Sequence, residues 1–567
     1  MSELCIFMSG RCLDFPAWVM YNHGRFGEAY AFRKEARHLE IKIEKKYLLL
    51  PINGQAAKKR LCFYEDGELL FDVDCRLDML HPTFTGYLDV ARWIGKTVFL
   101  KTDPEMAFTL TGADTMDLPD LWHEPFRPQL HFTVPNGYHN DPNGLIYCQR
   151  VYHLFYQYNP CSSVASGNQH WGHAVSRDLL HWEMREPALY PDETGAMFSG
   201  SAIEDRRNRT GLAENGIPPL LLFYTAAGDH TLLSQQKTGV RTQCMAYSVD
   251  GGRHFEKWNG NPVVPHIIGK NRDPKVVWVE EIAKYVMVLF LTDSTYRLLV
   301  SEDLLHWETM TDLCIPGEKE CPDLYCLMCG GARKWILSGA SDLYLVGHFD
   351  ASGFVVDQDV QRLTYSRWIY AAQSFSGTPD GTVLRIAWNK NRTQHLDHRF
   401  SQQMSFPMQM SLEQAHGRYW LSAQPFEGIQ TLWRETDSVE NCSLAAPVRF
   451  YPAEGPLDLT LQMPYIPDAR IALRIFGAQL LLDTAENLLH LETQQMPLSA
   501  CRDRIDLRIL VDTGTVEVFA DGGRFCLTEW IVSDFNLPEV ELSADTAAFV
   551  DRFVCRSLAP VHARAPH

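Results

Sequence analysis

Short apolar segments alternate with polar turns along almost the whole chain. The segments are rich in β-branched and aromatic residues, and most are bounded by Gly, Asn, Asp or Pro, as β-strands are. Long stretches with a 3.6-residue apolar period, which would indicate helices, are scarce. Clear examples of the strand-like pattern are residues 152–156, 220–225, 285–291 and 384–388. The pattern predicts an all-β protein.

An internal repeat organises the central part of this pattern. The sequence Ser-Arg-Asp-Leu-Leu-His-Trp-Glu at 176–183 nearly recurs at 301–308, and a degenerate copy lies at 248–258. The shared aspartates, Asp178, Asp250 and Asp303, are 72 and 53 residues apart, roughly one four-stranded sheet per interval. Radially repeated sheets of this size form β-propellers. The repeat therefore predicts five blades within residues 123–430; the alternative is chance similarity between hairpin turns.

The two ends of the chain lack the repeat but keep the strand pattern. Residues 60–64 and 69–73 flank the turn at 65–68, which predicts a hairpin in the first 122 residues. Residues 508–511 and 516–519 form a similar pair near the C-terminus. We therefore expect an N-terminal β-sandwich-like domain at 1–122, the five-bladed β-propeller at 123–430 and a C-terminal β-sandwich at 431–567.

Charge and composition narrow the possible ligands and compartments. The 567 residues include 52 Lys plus Arg and 70 Asp plus Glu, a net charge of −18, which argues against nucleic acid or an anionic membrane as partner. The sequence contains no stretch of about 18 apolar residues, which is the length that a helix needs to span a bilayer. The sequence begins without a basic, apolar leader, and its 15 cysteines are scattered. These features predict free thiols in the cytoplasm and a small or neutral ligand.

Three acidic residues stand in unusual local sequence within the repeat region. Asp141 lies in His-Asn-Asp-Pro-Asn-Gly, Asp273 in Asn-Arg-Asp-Pro and Glu320 in Glu-Cys-Pro-Asp. Taken singly, each also fits a plain turn, a solvated strand start or an acidic loop. In a propeller, however, the first strands of successive blades face one axis, so the three carboxylates can meet. Glycoside cleavage needs such a group, because one carboxyl must be ionised and another protonated.

The ordered motifs around these acids resemble glycoside hydrolase family 32, which contains invertases, inulinases and levanases. The resemblance spans roughly residues 125–555 and implies a retaining mechanism; we expect no cofactor. The supporting segments are 131–133, 140–145, 152–160, 171–176, 198–201, 272–274 and 320–323.

By this resemblance, Asp141 is the nucleophile, Glu320 the acid/base and Asp273 the stabiliser that binds fructosyl hydroxyls. Local chemistry suggests how each could be tuned. Turn amides at 142–144 could lower the pKa of Asp141, and Arg272 could hold Asp273 ionised. Glu320 must begin protonated, so we expect its site to be dry or close to the charge of Asp141.

The resemblance also assigns Asn140, Gln157, Trp171, Phe198 and Ser199 to substrate binding, and Arg272 and Trp388 are added as further candidates. Asn and Gln side chains suit neutral hydroxyls because they both donate and accept hydrogen bonds. Trp171 could instead be a core residue. Whether Trp388 lines the pocket is left open by the sequence. The predicted residues are Asn140, Gln157, Trp171, Phe198, Ser199, Arg272 and Trp388.

The chain departs from the family at Tyr138 and His139, where Trp-Met is usual. Tyr138 can keep an aromatic surface, whereas His139 places a titratable group next to the nucleophile and puts the substrate preference in doubt. The spacing of Cys321, Cys326 and Cys329 could suggest zinc, but no fourth ligand follows at a fitting distance. We expect no metal.

The resulting hypothesis is an exo-acting β-fructosidase that releases terminal fructosyl units from sucrose, fructo-oligosaccharides or fructan ends. A fructosyltransferase would use the same carboxylates, with a sugar replacing water in the second step. A non-catalytic carbohydrate-binding propeller is the third possibility, although a binder need not keep all three acids. The sequence leaves open the linkage preference, the oligomeric state and the role of the N-terminal domain.

Overall fold

The computed structural model describes residues 38–118, 121–124, 126–390, 398–531 and 539–562. The first 37 residues of the predicted N-terminal domain lie outside the described residues. From His38 the chain forms two facing antiparallel sheets, ordered β1-β6-β3-β4 and β5-β2-β7. The predicted hairpin is β3–β4. The strands are β1 (His38–Lys42), β2 (Tyr47–Ile52), β3 (Lys59–Glu65), β4 (Glu68–Cys75), β5 (Phe84–Asp89), β6 (Thr97–Asp103) and β7 (Thr111–Ala113).

Alternation along these strands explains how the two sheets pack. In β6, for example, every second side chain is buried, and Val98 and Leu100 are completely inaccessible. They join Leu48, Leu50 and Phe63 in one apolar core between the sheets. The N-terminal region is therefore a small β-sandwich with its own core.

Five sheets form the blades of the predicted propeller, and in each blade the chain starts at the innermost strand. Blade 1 has the order β11-β10-β9-β8-β26, and blades 2 to 4 follow chain order from β12, β16 and β20. Blade 5 has the order β24-β25-β28-β29, with β27 paired to β25.

The strands of blades 1 and 2 are β8 (Gly137–Cys148), β9 (Val151–Asn159), β10 (His170–Ser176), β11 (Trp182–Leu189), β12 (Ala196–Glu204), β13 (Leu220–Ala227), β14 (Arg241–Ser248) and β15 (Glu256–Lys257). Those of blades 3 and 4 are β16 (Arg272–Val279), β17 (Lys284–Thr292), β18 (Thr295–Ser301), β19 (Glu308–Cys314), β20 (Asp323–Cys329), β21 (Ala332–Ser338), β22 (Leu343–Asp350) and β23 (Gly353–Arg362). Blade 5 and the extra strand of blade 1 comprise β24 (Ile369–Ser374), β25 (Leu384–Asn389), β26 (Phe400–Ser401), β27 (Gln403–Met404), β28 (Met408–Ala415) and β29 (Arg418–Pro425).

The sequence repeat forms the turn between the third and fourth strands of blades 1, 2 and 3. In blade 1, the Asp178 carboxylate accepts hydrogen bonds from the backbone amides of Leu180 and His181, at 3.0 and 2.9 Å. Asp303 and Asp250 make the corresponding bonds in blades 3 and 2. The repeat therefore marks one structural position per blade, because the same side chain closes the same turn.

Blade 1 is completed by a segment that is distant in sequence. Strand β26 pairs in parallel with the start of β8, placing Phe400 beside Gly137 and Ser401 beside Tyr138. The Gly137 amide also donates to the Arg399 carbonyl, at 2.7 Å. The innermost strand of blade 1 is thus held on both edges, and its position depends on a segment that follows β25 of blade 5.

A C-terminal β-sandwich follows the propeller. Its two six-stranded sheets have the orders β30-β41-β32-β37-β38-β39 and β31-β40-β33-β34-β35-β36, and a large apolar core lies between them. The strands are β30 (Trp433–Ser443), β31 (Val448–Phe450), β32 (Leu457–Pro464), β33 (Arg470–Ile475), β34 (Ala478–Asp483), β35 (Leu488–Leu491), β36 (Gln494–Pro497), β37 (Arg504–Asp512), β38 (Thr515–Ala520), β39 (Phe525–Trp530), β40 (Val540–Ala544) and β41 (Phe549–Leu558).

A buried ionic cluster joins this sandwich to the propeller. His131 Nδ1 lies 2.8 Å from Asp512 Oδ2, and its Nε2 lies 3.3 Å from Glu517 Oε2. Burial acts to lower the pKa of His131, but the two carboxylates outweigh it and raise that pKa to about 10. His131 is therefore a buried cation between two domains.

The helical content in the described residues is confined to short 3₁₀ turns. None of these helices has the length and apolar character needed to cross a lipid bilayer. The turns are Ala91–Trp93, Leu121–His123, Gln235–Lys237, Glu427–Leu432 and Asp521–Gly523. The all-β fold predicted from the sequence is confirmed.

Candidate active site

Each blade contributes one side chain to a common centre, from the start of its first strand or from the residues just before it. Asp141 lies in β8, Ser199 in β12, Asp273 in β16 and Tyr370 in β24, and Glu320 lies shortly before β20. Hydrogen bonds and ion pairs, several of them through Cys321 and Arg272, link these five side chains into one cluster. The predicted convergence of the three carboxylates follows from the radial order of the blades, although the acids are far apart in sequence.

Irregular backbone at these strand starts directs the side chains into the centre. The pairing register breaks near the start of the first strand in blades 1, 2, 3 and 5. In addition, Asp273, Glu320 and Cys321 have φ angles of 65°, 49° and 39°, in the left-handed region that non-glycine residues rarely adopt. Bulges and strained backbone turn side chains away from regular alternation, and they concentrate at functional sites.

The thiol of Cys321 lies between two of the carboxylates. Its Sγ is 3.5 Å from Asp141 Oδ2 and 3.5 Å from Asp273 Oδ2, and its backbone amide donates to the same Asp273 oxygen at 3.1 Å. Cys321 is only 2 % exposed. The two aspartates therefore face each other across one buried thiol.

Asp141 receives hydrogen bonds from neighbouring side chains. Ser199 Oγ donates to Asp141 Oδ2 at 2.8 Å, and Asn140 Nδ2 donates to Oδ1 at 3.1 Å. Burial nevertheless raises the pKa of Asp141 above its ordinary value, with Glu320 adding to the rise. The expectation that turn amides at 142–144 would lower this pKa is wrong, because the donors that favour the ionised form are these side chains and they do not outweigh burial.

Arg272 connects the other two carboxylates. Its Nη2 donates to Glu320 Oε2 at 2.7 Å, whereas the nearest approach to Asp273 is 3.4 Å, from Nε. Burial raises the pKa of Asp273 to about 7; Arg272 opposes the rise, and Glu320 and Asp141 reinforce it. The prediction that Arg272 holds Asp273 ionised is therefore wrong for the free site, since its stronger contact is with Glu320.

Glu320 is also bound by a residue that the sequence did not reveal. The Tyr370 hydroxyl donates to Glu320 Oε1 at 2.5 Å. Although burial acts to raise the pKa of Glu320, Arg272 and Tyr370 outweigh it and lower that pKa. The expectation of a site that by itself favours protonated Glu320 is thus wrong, because two donors surround its carboxylate.

The predicted substrate-binding residues differ in how deeply they are buried. Phe198 and Trp388 are half-buried; Trp388 packs edge-on against Tyr370 with ring centroids 6.2 Å apart. Gln157 is 3 % exposed and donates to the Met197 carbonyl at 2.8 Å.

Trp171 belongs to the layer beneath. It is completely buried in the core of blades 1 and 2, and its indole donates to the Phe198 carbonyl at 3.0 Å. The prediction that Trp171 lines the pocket is wrong; its side chain supports the strand that carries Phe198 and Ser199.

The two residues that depart from the family pattern point in different directions. Tyr138 is 7 % exposed, and burial raises its pKa, with the charge of Asp141 adding to the rise. His139 is completely inaccessible, with its ring 5.9 Å from those of Phe132 and Tyr156. Burial lowers the pKa of His139 to about 3. The expected titratable group beside the nucleophile is therefore a neutral core residue.

Lys390 is a further residue that sequence reasoning missed. Its ammonium lies 3.8 Å from the centroid of the Tyr370 ring and 5.1 Å from that of Trp388. Burial lowers the pKa of Lys390, against the opposing effect of Asp141 and Glu320. The available signal was positional: Tyr370 lies near the start of the first strand of blade 5, and Lys390 directly follows β25, which carries Trp388.

The residues that could have formed a zinc site do not gather. Among the described residues, no group of three or more His, Cys, Asp or Glu side chains has a geometry suited to a metal ion. Cys326 is directed elsewhere, with Sγ nearest the Leu327 carbonyl, while Cys321 lies against the two aspartates. The arrangement is that of a carboxylate cluster for acid–base and nucleophilic chemistry.

Comparison with known families agrees with this geometry. The family model for the glycosyl hydrolases family 32 N-terminal domain matches residues 131–425, and that for the family's C-terminal region matches residues 482–555. A levanase from Bacillus subtilis is 31% identical over 495 residues, covering 77% of this chain and 70% of the relative. An invertase from Schizosaccharomyces pombe is 36% identical over 293 residues, covering 47% of this chain and 49% of the relative.

Solved structures share the fold. An exo-inulinase from Aspergillus awamori superposes with a TM-score of 0.68 at 24% identity, covering 79% of this chain and all of that chain (100%). A β-fructofuranosidase from Schwanniomyces occidentalis, complexed with fructosyl-erythritol, gives 0.67 at 24% identity over 78% of this chain and 100% of that one. The fold is that of a propeller–sandwich hydrolase. The chain belongs to glycoside hydrolase family 32.

Proposed function

We propose that this protein is a retaining exo-β-fructosidase that releases terminal fructosyl units from sucrose, fructo-oligosaccharides or fructan ends. The observation that carries the proposal is the meeting of Asp141, Asp273 and Glu320 around Cys321 and Arg272. Relatives named levanase and invertase support a fructoside as the substrate.

In the first half-reaction, the ionised Asp141 carboxylate attacks the anomeric carbon of the fructosyl unit. The bond from that carbon to the leaving oxygen breaks, and Glu320 donates its proton to the oxygen. In the second half-reaction, the Glu320 carboxylate takes a proton from water while the water oxygen attacks the same carbon and releases Asp141. Asp273 accepts hydrogen bonds from fructosyl hydroxyls in both steps.

The location of the proton in the free site shapes this mechanism. In the free site the pKa of Asp273 is raised to about 7 and that of Glu320 is lowered, so Asp273 takes up a proton more readily than Glu320 does. The three acids therefore titrate as a group rather than singly. Sugar hydroxyls donating to Asp273 favour its ionised form, and its new charge raises the pKa of Glu320. Substrate binding thus favours the protonated form of Glu320, which the first half-reaction requires.

The roles are tested by removing each carboxylate and measuring turnover of sucrose. We expect Asp141→Ala to abolish turnover while the circular dichroism spectrum shows that the protein is still folded. Near-normal turnover by this variant would show that Asp141 is not the nucleophile. Glu320→Ala loses most activity on sucrose but recovers part of it on a fructoside with an activated leaving group, which needs no protonation. Glu302→Ala is the control, because that carboxylate is 80% exposed and remote from the site.

Product analysis separates hydrolysis from fructosyl transfer, which needs the same three acids. The protein is incubated with sucrose and with a β-2,1-linked trisaccharide, and products are resolved by chromatography. Free fructose as the main product supports the proposal. Longer or cyclic products would make the protein a fructosyltransferase, and a protein that binds sugar without turnover would be a binding propeller.

We also propose that the protein works in the cytoplasm. Cysteines throughout the described residues are unpaired, and most are buried, which suits a reducing compartment. Relatives include a protein named an extracellular exo-inulinase from Aspergillus niger, so the compartment needs a direct test. Fractionation of the source cells, with activity measured in each fraction, provides it; activity mainly outside the cells would contradict the proposal.

A further inference from the structure

A cavity of about 430 Å³ lies between the N-terminal sandwich and blade 1. Its walls come from β2 and β5 of the N-terminal sandwich on one side and from β9, β10 and β11 of blade 1 on the other. An ion pair bridges the two sides, with Lys46 Nζ 2.7 Å from Glu186 Oε1. The cavity is therefore a feature of the domain arrangement and involves residues outside the catalytic cluster.

Five tyrosines dominate the wall of this cavity. The hydroxyls of Tyr87 and Tyr158 donate to backbone carbonyls, each at 2.9 Å. Within the described residues the hydroxyls of Tyr156 and Tyr190 make no hydrogen bond, whereas that of Tyr47 interacts with Lys46. Flat rings with free hydroxyls suit ligands that have both C–H surface and hydroxyl groups. The five are Tyr47, Tyr87, Tyr156, Tyr158 and Tyr190.

Two buried acceptor atoms in the same wall also lack partners. Asp89 is 7 % exposed and Asn136 is 1 % exposed, and in the described part of the chain Asp89 Oδ2 and Asn136 Oδ1 receive no hydrogen bond. Buried polar atoms are nearly always paired, so unpaired acceptors in a cavity wall indicate a place for donors. Hydroxyl groups supply such donors, whereas an anion would not.

Strand β9 separates this cavity from the catalytic centre. Successive side chains of a strand point to opposite faces, so Tyr156 and Tyr158 face away from Gln157, which bonds to blade 2 at Met197. The entrance of the cavity is marked by the exposed residues Met184 and His254. A ligand could therefore occupy the cavity while the catalytic site works.

We propose that this cavity is a second, non-catalytic binding site for a short, neutral fructosyl oligosaccharide. Its volume falls within the range of small-ligand sites, and its lining of tyrosines and acceptors matches sugar hydroxyls. The choice of a fructosyl sugar rests on the proposed function; the existence of the site does not.

The test counts sugar molecules bound per chain under conditions without turnover. The Asp141→Asn variant is titrated with the β-2,1-linked trisaccharide by calorimetry, and two sites are expected. Adding Met184→Trp, which blocks the entrance, should leave one site. Adding Met328→Trp instead is the matched control, because Met328 is also exposed, at 60%, but lies on β20 away from the cavity; two sites should remain.

A second variant addresses the wall directly. Tyr47→Ala in the Asp141→Asn background should weaken the second binding event at least tenfold, and in the otherwise wild-type protein it should leave kcat on sucrose within twofold. A single site in the Asp141→Asn protein, or two sites after Met184→Trp, overturns the proposed cavity site. Absence of fructoside turnover by the wild-type protein would overturn the proposed function instead, whatever the number of sites.

Discussion

Replacing Ser199 with alanine removes one defined contribution to the charge of the proposed nucleophile. Ser199 Oγ donates to Asp141 Oδ2 at 2.8 Å, a bond that favours the ionised carboxylate. Asp141 must be ionised to attack, so its pKa governs the acidic limb of the pH profile. Because burial already raises this pKa, loss of the serine raises it further.

The size of the effect follows from the strength of a hydrogen bond to a charged group. Such bonds contribute about 1.5–3 kcal/mol, and one pKa unit corresponds to about 1.4 kcal/mol. Asp141 is only half-buried and keeps the bond from Asn140, which places the expected change at the lower end. We therefore predict that the acidic limb of Ser199→Ala moves upward by about one pH unit.

The assay is kcat/KM for sucrose measured across the acidic limb, with stability checked at each pH. Ser201→Ala is a matched control, because Ser201 lies two residues further along β12 and its hydroxyl donates to the Pro274 carbonyl at 2.9 Å rather than to a catalytic carboxylate. Its acidic limb should not move. An unchanged limb in Ser199→Ala, or equal shifts in both variants, would refute the electrostatic reasoning.

Two further predictions concern the frame around the site. His131→Gln should lower stability by about 3–5 kcal/mol near pH 6, because it leaves the buried carboxylates of Asp512 and Glu517 unpaired. Since the pKa of His131 is raised to about 10 from 6.5, its stabilisation is complete below pH 6.5 and is lost as pH approaches 10. The melting temperatures of the wild type and His131→Gln at pH 6 and pH 9.5 check this prediction. The control is His139→Gln, because His139 is buried and neutral. A difference in melting temperature between wild type and His131→Gln that is the same at both pH values would contradict the prediction. Gly200→Ala should reduce kcat/KM at least tenfold, because an added Cβ would overlap the Phe223 carbonyl and shift the bulge that carries Ser199; kinetics within twofold of wild type would contradict it.

The propeller could be predicted because its repeat is a local device. Asp178 and Asp303 close their turns through amides within three residues, so the sequence around them is sufficient to specify the structure. Strand patterning likewise predicted the flanking sheets. The pairing of β26 with β8 could not be predicted, because a two-residue strand has no periodicity and its partner is distant in the chain.

The acids of the site were predictable, whereas their electrostatics were not. Asp141, Asp273 and Glu320 stand in distinctive motifs, but their pKa values depend on residues brought together only by folding. Tyr370 lies in no such motif, yet its hydroxyl and Arg272 together reverse the expected protonation of Glu320. His139 and Trp171 show a second limit of sequence-based prediction. A side chain in or beside a catalytic motif can point into the core instead of into the pocket.

The parallel pairing of β26 with β8 has a consequence for the order of events during synthesis. A chain emerging from the ribosome can assemble blades 2, 3 and 4 from neighbouring strands, which form quickly because their contacts are local. The edge of β8 near Gly137 and Tyr138, however, has no partner until Phe400 and Ser401 have been translated. Nascent chains halted before that point should therefore contain folded blades but no activity, and the strand carrying Asp141 should be the segment most in need of protection from aggregation.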